Sequence, residues 1–167
     1  FQSRFFVENV KTQDFVSADF WRIHFANKYF FVPFPSSNVA VQTIFGLATN
    51  RQTPFSPYAI DGLTNVRAIG NRVLRGSGIS HSSVEWRRRV LIHKWFFLQL
   101  VGFGDWAVLR LPASDFKNTK ETTFFAYGIG LRLHSRKIYK GIFRVDFALP
   151  NEKLKQGGIS FGLSQFF

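Results

Sequence analysis

Apolar and polar residues alternate along most of this chain with a period of two, which is typical of β-strands. The alternation is clearest over residues 123–134, where the odd positions from Phe125 to Leu133 are all large and apolar. The even positions from Ala126 to His134 carry only Ala, Gly, Arg and His. Similar patterns predict about eight strands, at about residues 1–11, 15–31, 38–49, 80–91, 95–109, 123–134, 139–149 and 158–167.

The two faces of these strands differ in a way that indicates their surroundings. One face carries a continuous row of large apolar residues, and the other mixes Gly, Ser, His and charged residues. A soluble β-sandwich would bury its apolar rows and expose its charges. Arg132, Arg144 and Asp146 alternate with bulky apolar neighbours, and such charges suit a wet, enclosed interior better than a dry core. We therefore predict an all-β fold, a transmembrane antiparallel β-barrel of the bacterial outer membrane, with these three charges facing its lumen.

One connection between the predicted strands is much longer than the others. It runs over about residues 53–78 and contains Arg67. Connections of this length are uncommon and are often functional. We expect it to be an extracellular loop that reaches back into the barrel, so that Arg67 meets acidic groups on the inner wall. The chain as a whole, residues 1–167, is expected to form a single domain.

Composition and charge restrict the class of partner. The chain carries 22 Phe and a net charge of +12. A strongly basic chain often binds nucleic acid. Here Lys and Arg are spread through apolar strands and turns, so we predict that this chain does not bind nucleic acid. Apolar runs of about 18 residues, which a transmembrane helix needs, do not occur. The sequence begins at Phe1 rather than Met, so an upstream segment is expected.

The sequence gives no sign of a chemical step. Its four His residues lack the spacing of metal ligands. Phosphate-binding loops of the G-x-x-x-x-G-K-[ST] type are absent from the sequence, and its carboxylates are too few and scattered to suggest a catalytic pair. We predict that the chain is not an enzyme and uses no metal and no cofactor.

Five short segments resemble, in order, the motifs of one known family. Residues 62–69 (Gly-Leu-Thr-Asn-Val-Arg-Ala-Ile) resemble the loop motif G-x-x-S-V-R-G-[FY], with Ala68 in place of Gly and Ile69 in place of an aromatic residue. Residues 83–85 resemble the glutamate strand that follows, and residues 103–107 resemble F-x-D-x-G with Ala107 in place of the second Gly. Residues 128–132 and 143–148 are similar to the strands G-x-G-[LI]-R and R-x-D-[YF]-A. Over residues 54–167 the chain thus resembles the C-terminal half of the eighty-five-kilodalton outer-membrane superfamily. These bacterial surface-antigen barrels include the barrel-assembly insertase BamA, its TamA-type relatives and two-partner secretion transporters.

The resemblance implies a site and a function. In that family the loop arginine contacts acidic residues of neighbouring strands, which here implies a clamp of Arg67 with Asp105 and Glu85. The aromatic C-terminus resembles the family's assembly signal and would involve Phe161, Leu163 and Phe167 on the lipid face. The implied function is insertion of outer-membrane proteins or translocation of polypeptides, without a chemical step. The expected partners are outer-membrane lipid and lipopolysaccharide, with client polypeptides or other outer-membrane complex subunits as further candidates.

The number of strands leaves several arrangements open. An eight-stranded barrel is just wide enough to be filled by its own side chains, so the Arg67 loop would not fit inside it. The chain is then the C-terminal half of a sixteen-stranded barrel, a short barrel whose loop lies over the mouth, or a sheet completed by a partner chain. Two other functions also stay open. One is a small structural or accessory barrel that binds membrane proteins or lipid and transports nothing, and the other is a soluble all-β binding protein.

Overall fold

The fold consists almost entirely of β-strands. The computed structural model describes residues 2–10, 20–49, 57–62, 65–70, 73–111, 120–138, 141–150 and 157–163. The strands are β1 (Gln2–Val10), β2 (Phe20–Phe31), β3 (Ser37–Ala48), β4 (Tyr58–Ile60), β5 (Leu74–Gly76), β6 (Gly78–Ile92), β7 (Phe96–Arg110), β8 (Glu121–Ser135), β9 (Ile142–Pro150) and β10 (Gly158–Leu163). A single 3₁₀ turn, Arg67–Ile69, lies between β4 and β5. No helix in these ranges has the length and apolar character required to cross a bilayer.

Eight of the strands form one antiparallel sheet in the order β1-β2-β3-β6-β7-β8-β9-β10. Each strand therefore pairs with its neighbour in the sequence, apart from the interruption by the β4-β5 hairpin. This confirms the predicted all-β antiparallel fold. Within the described ranges β1 and β10 are the two ends of the sheet, and closure into a barrel stays a prediction.

The predicted strands agree with the observed ones to within a few residues. The second strand is described from Phe20 onward, and its predicted first part, residues 15–19, lies outside the described residues. The long connection, predicted at about residues 53–78, extends from the end of β3 at Ala48 to Gly78, the first residue of β6, and it contains the β4-β5 hairpin, which was not predicted. Strands of three residues, like β4 and β5, are too short to show an alternating pattern in the sequence.

The two faces of the sheet have opposite character. We call the face that carries Arg132 and Asp146, against which the described residues of the long connection lie, the inner face, and the opposite one the outer face. Large apolar side chains of the outer face are exposed, as with Ile129 at 62% and Phe143 at 53%. On the inner face, Arg132 and Asp146 are 0% exposed. This is the reverse of a soluble protein, in which charged groups are rarely fully buried and large apolar groups usually are.

The hydrophobic core lies between the inner face and the long connection. Ile60, Val66 and Ile69 of the connection are buried against small and apolar residues of the wall. The wall residues of this cluster are Phe20, Ala48, Ile79, Val101, Phe103, Ala107, Leu109, Phe124, Ala126 and Ala148. The connection therefore covers the wall with its own apolar side chains, and this contact positions Arg67.

The end of the chain follows the predicted alternation as far as it is described. Phe161 and Leu163 project from the outer face and are 71% and 74% exposed. Phe167 lies outside the described residues. Their role as an assembly signal stays a prediction.

Candidate functional site

The Arg67 side chain lies between two carboxylates of the inner face. Its Nε and Nη2 atoms donate to Asp105 Oδ2 and Oδ1, each at 2.9 Å. Its Nη1 atom donates to Glu85 Oε1 at 2.6 Å. The backbone N–H of Arg67 also donates to Asp105 Oδ2, at 3.2 Å. This two-pronged contact with Asp105 uses the planar geometry of the guanidinium group, which a Lys side chain cannot reproduce.

The strand register explains why the two carboxylates are close. Ser83 of β6 lies directly opposite Asp105 of β7, so Glu85, two residues beyond Ser83, is the diagonal neighbour of Asp105 on the same face. Two carboxylates at such positions repel each other unless a cation lies between them. The Ser83 hydroxyl donates to Asp105 Oδ1 at 2.6 Å and accepts from Arg67 Nη2 at 3.4 Å.

Two further arginines extend the site across four strands. Arg132 of β8 donates to both oxygens of Asp146 of β9, at 2.5 and 3.2 Å. Its Nη2 atom also lies 3.4 Å from Glu85 Oε1. Arg87 of β6 donates from Nε to Glu85 Oε2 at 2.6 Å. Glu85 thus interacts with three arginines, and it connects the loop contact to the β8-β9 pair.

The ion pairs of this network join three arginines to three carboxylates, and a fourth buried arginine, Arg144, lies near Asp146. Arg67, Arg87 and Arg132 face Glu85, Asp105 and Asp146, and five of these six side chains are 0% exposed. Such burial is costly unless every charge is paired. Burial by itself would lower the pKa of Arg67, but the hydrogen bond and charge of Asp105, together with Glu85 and Asp146, raise the pKa above its ordinary value. The carboxylates of the site therefore favour the charged form of Arg67.

Close approach of the charged groups requires glycine on the neighbouring strand. Gly130 lies opposite Asp146 in the β8-β9 register. A Cβ atom at this position would overlap Asp146 Oδ1 and lie 2.8 Å from Arg132 Nη1. The Gly at this position thus makes room for the pair that the two strands form.

Aromatic groups hold the connection at two further points. The guanidinium carbon of Arg67 lies 3.5 Å from the centroid of the Phe103 ring, a cation–π contact. Tyr58 of β4 donates its hydroxyl to the backbone oxygen of Ile23 at 2.6 Å and stacks against His24. Its ring lies directly on Gly46, where any Cβ would collide with it. The connection is thus attached to β2 and β3 as well as to β6 and β7.

The structure brings together most residues that the sequence indicated. Arg67, Glu85 and Asp105 are in direct contact, and Arg132 and Asp146 join the same network. Arg144 lies opposite Arg132 in the register and next to Gly162 of β10. Of the three positions that depart from the family motifs, Ile69 and Ala107 are buried in the core, and the side chain of Ala68 is outside the described part.

Sequence reasoning missed the residues that support the site. Phe103 could have been found, because it lies two residues from Asp105 and so on the same face. Tyr58 gives no signal in the sequence, since an aromatic residue in a long connection has many roles. The contact of His81 Nε2 with the backbone oxygen of Asn65, at 2.8 Å, depends in the same way on the folded connection. The described residues contain no cluster of three or more His, Cys, Asp or Glu that could hold a metal ion.

Comparison with protein-family models, curated proteins and solved structures found no match.

Proposed function

We propose that this chain forms part of an outer-membrane β-barrel of the assembly and secretion superfamily, acting in insertion or translocation of polypeptides without a chemical step. The proposal has three parts, which are supported by different observations: a membrane-spanning wall, a wide barrel and a loop clamp.

The membrane-spanning wall is supported by the exposed apolar rows of the outer face. The strands β6, β7 and β8 have 15 residues each, which corresponds to about 50 Å when extended. At a tilt of about 40° such a strand rises about 38 Å, more than the apolar band of about 25 Å in barrels of this type. A protein with rows of exposed Phe, Ile, Leu and Val on strands of this length would aggregate in water, whereas in a bilayer these side chains contact lipid acyl chains.

A wide barrel is supported by the position of the long connection. A closed barrel of eight strands is filled by its own side chains. Here the inner face carries the side chains of the connection, with Val66 and Ile60 both 0% exposed. In our proposal this space belongs to a wall with more strands, which come from the same polypeptide or from a partner chain beside β1 and β10, the outermost strands of the described sheet.

The loop clamp is the observation that carries the functional assignment. Arg67 lies in the segment that resembles the family's loop motif, and it contacts the Glu85 and Asp105 that the same resemblance implies. In our proposal the clamp holds the connection inside the barrel, and the connection together with the free strand edges receives the client polypeptide.

The experiment is a folding assay with a client. The purified chain is reconstituted into lipid vesicles, and the folding rate of a small, urea-unfolded outer-membrane barrel into these vesicles is measured from its heat-modifiable gel mobility. We expect the protein to accelerate client folding and Arg67→Ala to abolish the acceleration. Arg75→Ala is the matched control, since Arg75 is an exposed arginine of the same connection. Equal client rates with and without the protein would refute the assembly function.

A second candidate, an accessory barrel that transports nothing, is favoured by one observation. The connection is attached at Arg67 and again at Tyr58, and both contacts would have to open before a client could pass the inner face. This candidate predicts a stable, heat-modifiable protein in vesicles that leaves client folding unchanged. A chain that is monomeric and folded in buffer without detergent would contradict both candidates and favour a soluble binding protein.

A further inference from the structure

The connections between the strands divide the sheet into two different ends. At one end of the sheet, five, three and six residues separate β2 from β3, β6 from β7 and β8 from β9, which we call the short turns. At the other end, nine, 29, ten and seven residues separate β1 from β2, β3 from β6, β7 from β8 and β9 from β10. In bacterial outer-membrane barrels the short turns face the periplasm. We call this end the short-turn end.

The short-turn end carries only positive charge. The sequence has no Asp or Glu in residues 20–60, 86–104 or 122–145, which include all three short turns and the strand ends beside them. Arg88, Lys94, Arg136 and Lys137 are exposed there, and we call them the basic rim. None of the four forms an ion pair with another residue in the part of the chain that the structure describes.

The cations of the basic rim belong to one continuous surface. The backbone N–H of Arg136 donates to the oxygen of Trp95 at 2.8 Å, which joins the turn after β8 to the turn after β6. The Arg136 side chain reaches the oxygen of His93 at 3.4 Å. The Lys137 ammonium lies 3.2 Å from the centroid of the Trp95 ring. The turn after β8 therefore packs on the turn after β6, and its two cations, Arg136 and Lys137, lie against His93 and Trp95.

Apolar side chains adjoin this surface on the side of the outer face. Leu91 lies opposite Leu98 on the outer face and is 51% exposed, and Trp95 and Ile138 in the turns are 46% and 63% exposed. Tryptophan in a membrane barrel is typical of the boundary between headgroups and acyl chains. A cation beside such a tryptophan lies at the depth of the lipid phosphates.

We propose that the basic rim binds the phosphates of anionic glycerophospholipids in the leaflet at the short-turn end. This inference rests on the proposed membrane location. Ammonium and guanidinium groups donate to phosphate oxygens, and the exposed Leu91 and Trp95 contact the acyl chains. The positive potential is not compensated, because residues 86–104 and 122–145 contain no Asp or Glu. The opposite end is different, since Arg22 is paired there with Glu8 at 2.5 Å and Arg110 lies opposite Glu121. A phosphate at that end would meet carboxylates.

The test measures lipid preference at Trp95 itself. The protein has four tryptophans, and Trp21, Trp86 and Trp106 are replaced by Phe so that only Trp95 remains. This variant is reconstituted into vesicles in which either phosphatidylcholine or phosphatidylglycerol carries brominated acyl chains, which quench tryptophan fluorescence on contact. The ratio of the two quenching efficiencies gives the preference for the anionic lipid, and it cancels any effect of Lys137 on the fluorescence of Trp95.

We expect phosphatidylglycerol to be enriched at Trp95 and the enrichment to fall in Lys94→Gln/Lys137→Gln. A cation near an anionic membrane contributes about 1 kcal/mol, a factor of about five in association, so removal of two lowers the preference by up to about 25-fold. Arg75→Gln/Lys120→Gln removes the same charge from exposed positions at the other end and should leave the preference unchanged.

The possible failures are distinguishable. Quenching by brominated phosphatidylcholine with no preference for phosphatidylglycerol overturns the lipid site and leaves the membrane wall intact. If neither lipid quenches a folded protein, both proposals are wrong. Loss of the preference when inorganic phosphate replaces chloride at equal ionic strength also overturns the lipid site, because a free anion would then be the ligand.

Discussion

Replacing Arg67 by Ala removes the cation that lies between two buried carboxylates. Asp105 loses two hydrogen bonds of 2.9 Å, Glu85 loses one of 2.6 Å, and the Phe103 ring loses its cation–π contact. Breaking a fully buried ion pair from one side costs about 3–5 kcal/mol, because the remaining charge stays buried without a partner. Asp105 keeps the Ser83 hydroxyl and Glu85 keeps Arg87, so we expect the lower end of this range, about 3 kcal/mol.

This energy should appear as local opening of the connection rather than as global unfolding. The eight-stranded sheet retains its hydrogen bonds in the variant, while residues 57–77 lose the contact that holds them to β6 and β7. A change of about 3 kcal/mol corresponds to an opening equilibrium about 150-fold larger. Hydrogen–deuterium exchange of the reconstituted protein, followed by mass spectrometry, should therefore show faster exchange in peptides from residues 57–77 and little change in peptides from β8.

Two matched variants make this prediction specific. Arg75→Ala removes an exposed arginine from the same connection and should change exchange there by less than about threefold, as surface substitutions usually cost under about 0.5 kcal/mol. Arg67→Lys keeps the charge but has one donor centre, so its effect should lie between those of the wild type and of Arg67→Ala. If Arg67→Ala and Arg75→Ala exchange at the same rate in residues 57–77, the clamp does not hold the connection and our reasoning about the site is wrong.

Three further predictions test the wall and the second attachment point. Gly130→Ala should lower the midpoint temperature of the heat-modifiable gel shift by an amount that corresponds to about 1–3 kcal/mol, because the added Cβ overlaps a carboxylate oxygen of Asp146. Gly102→Ala is the control: nothing lies within 4 Å of the added Cβ, so the midpoint should be unchanged. Ile129→Arg should lower the stability of the vesicle-inserted protein in urea by about 2–4 kcal/mol, as a charge at the centre of a lipid-facing strand does. Ile138→Arg, in a turn, should lower the stability only slightly. Equal stability of the two variants would contradict the lipid-facing assignment. Tyr58→Phe removes one hydrogen bond to the backbone, which is worth about 1 kcal/mol of stability. It should therefore increase protease cleavage in residues 57–77 by a few-fold without affecting client folding. Unchanged cleavage would exclude Tyr58 as an attachment point.

Local pattern was sufficient to find the long strands and to assign side chains to their faces. Glu85, Asp105 and Asp146 fall on the polar face by parity alone, because successive side chains of a strand point to opposite sides. The same rule assigns Phe161 and Leu163 to the outer face, and both are exposed there. The face of a residue depends only on its position within the alternating pattern. Shifts of a few residues at the strand ends therefore did not affect these assignments.

Contacts between distant segments could not be obtained in this way. The position of Arg67 between Glu85 and Asp105 was implied by resemblance to a family, since nothing in residues 53–78 sets a period that would orient its side chain. The β4-β5 hairpin and the seat of Tyr58 on Gly46 depend on residues that are separated in the sequence and meet only in the fold. These contacts are stabilised by burial, and the local sequence does not show which residues become buried together.

Alternation with a period of two thus determined, from the sequence alone, that the chain forms a sheet with one apolar and one polar face, because strand geometry is a property of each segment by itself. Only the tertiary structure decided what the polar face holds. The antiparallel register places three carboxylates and two arginines of four strands next to each other, and the folded connection supplies the third arginine. Most of these ion pairs join segments that are far apart in the chain, so the sequence of a single strand does not predict the network.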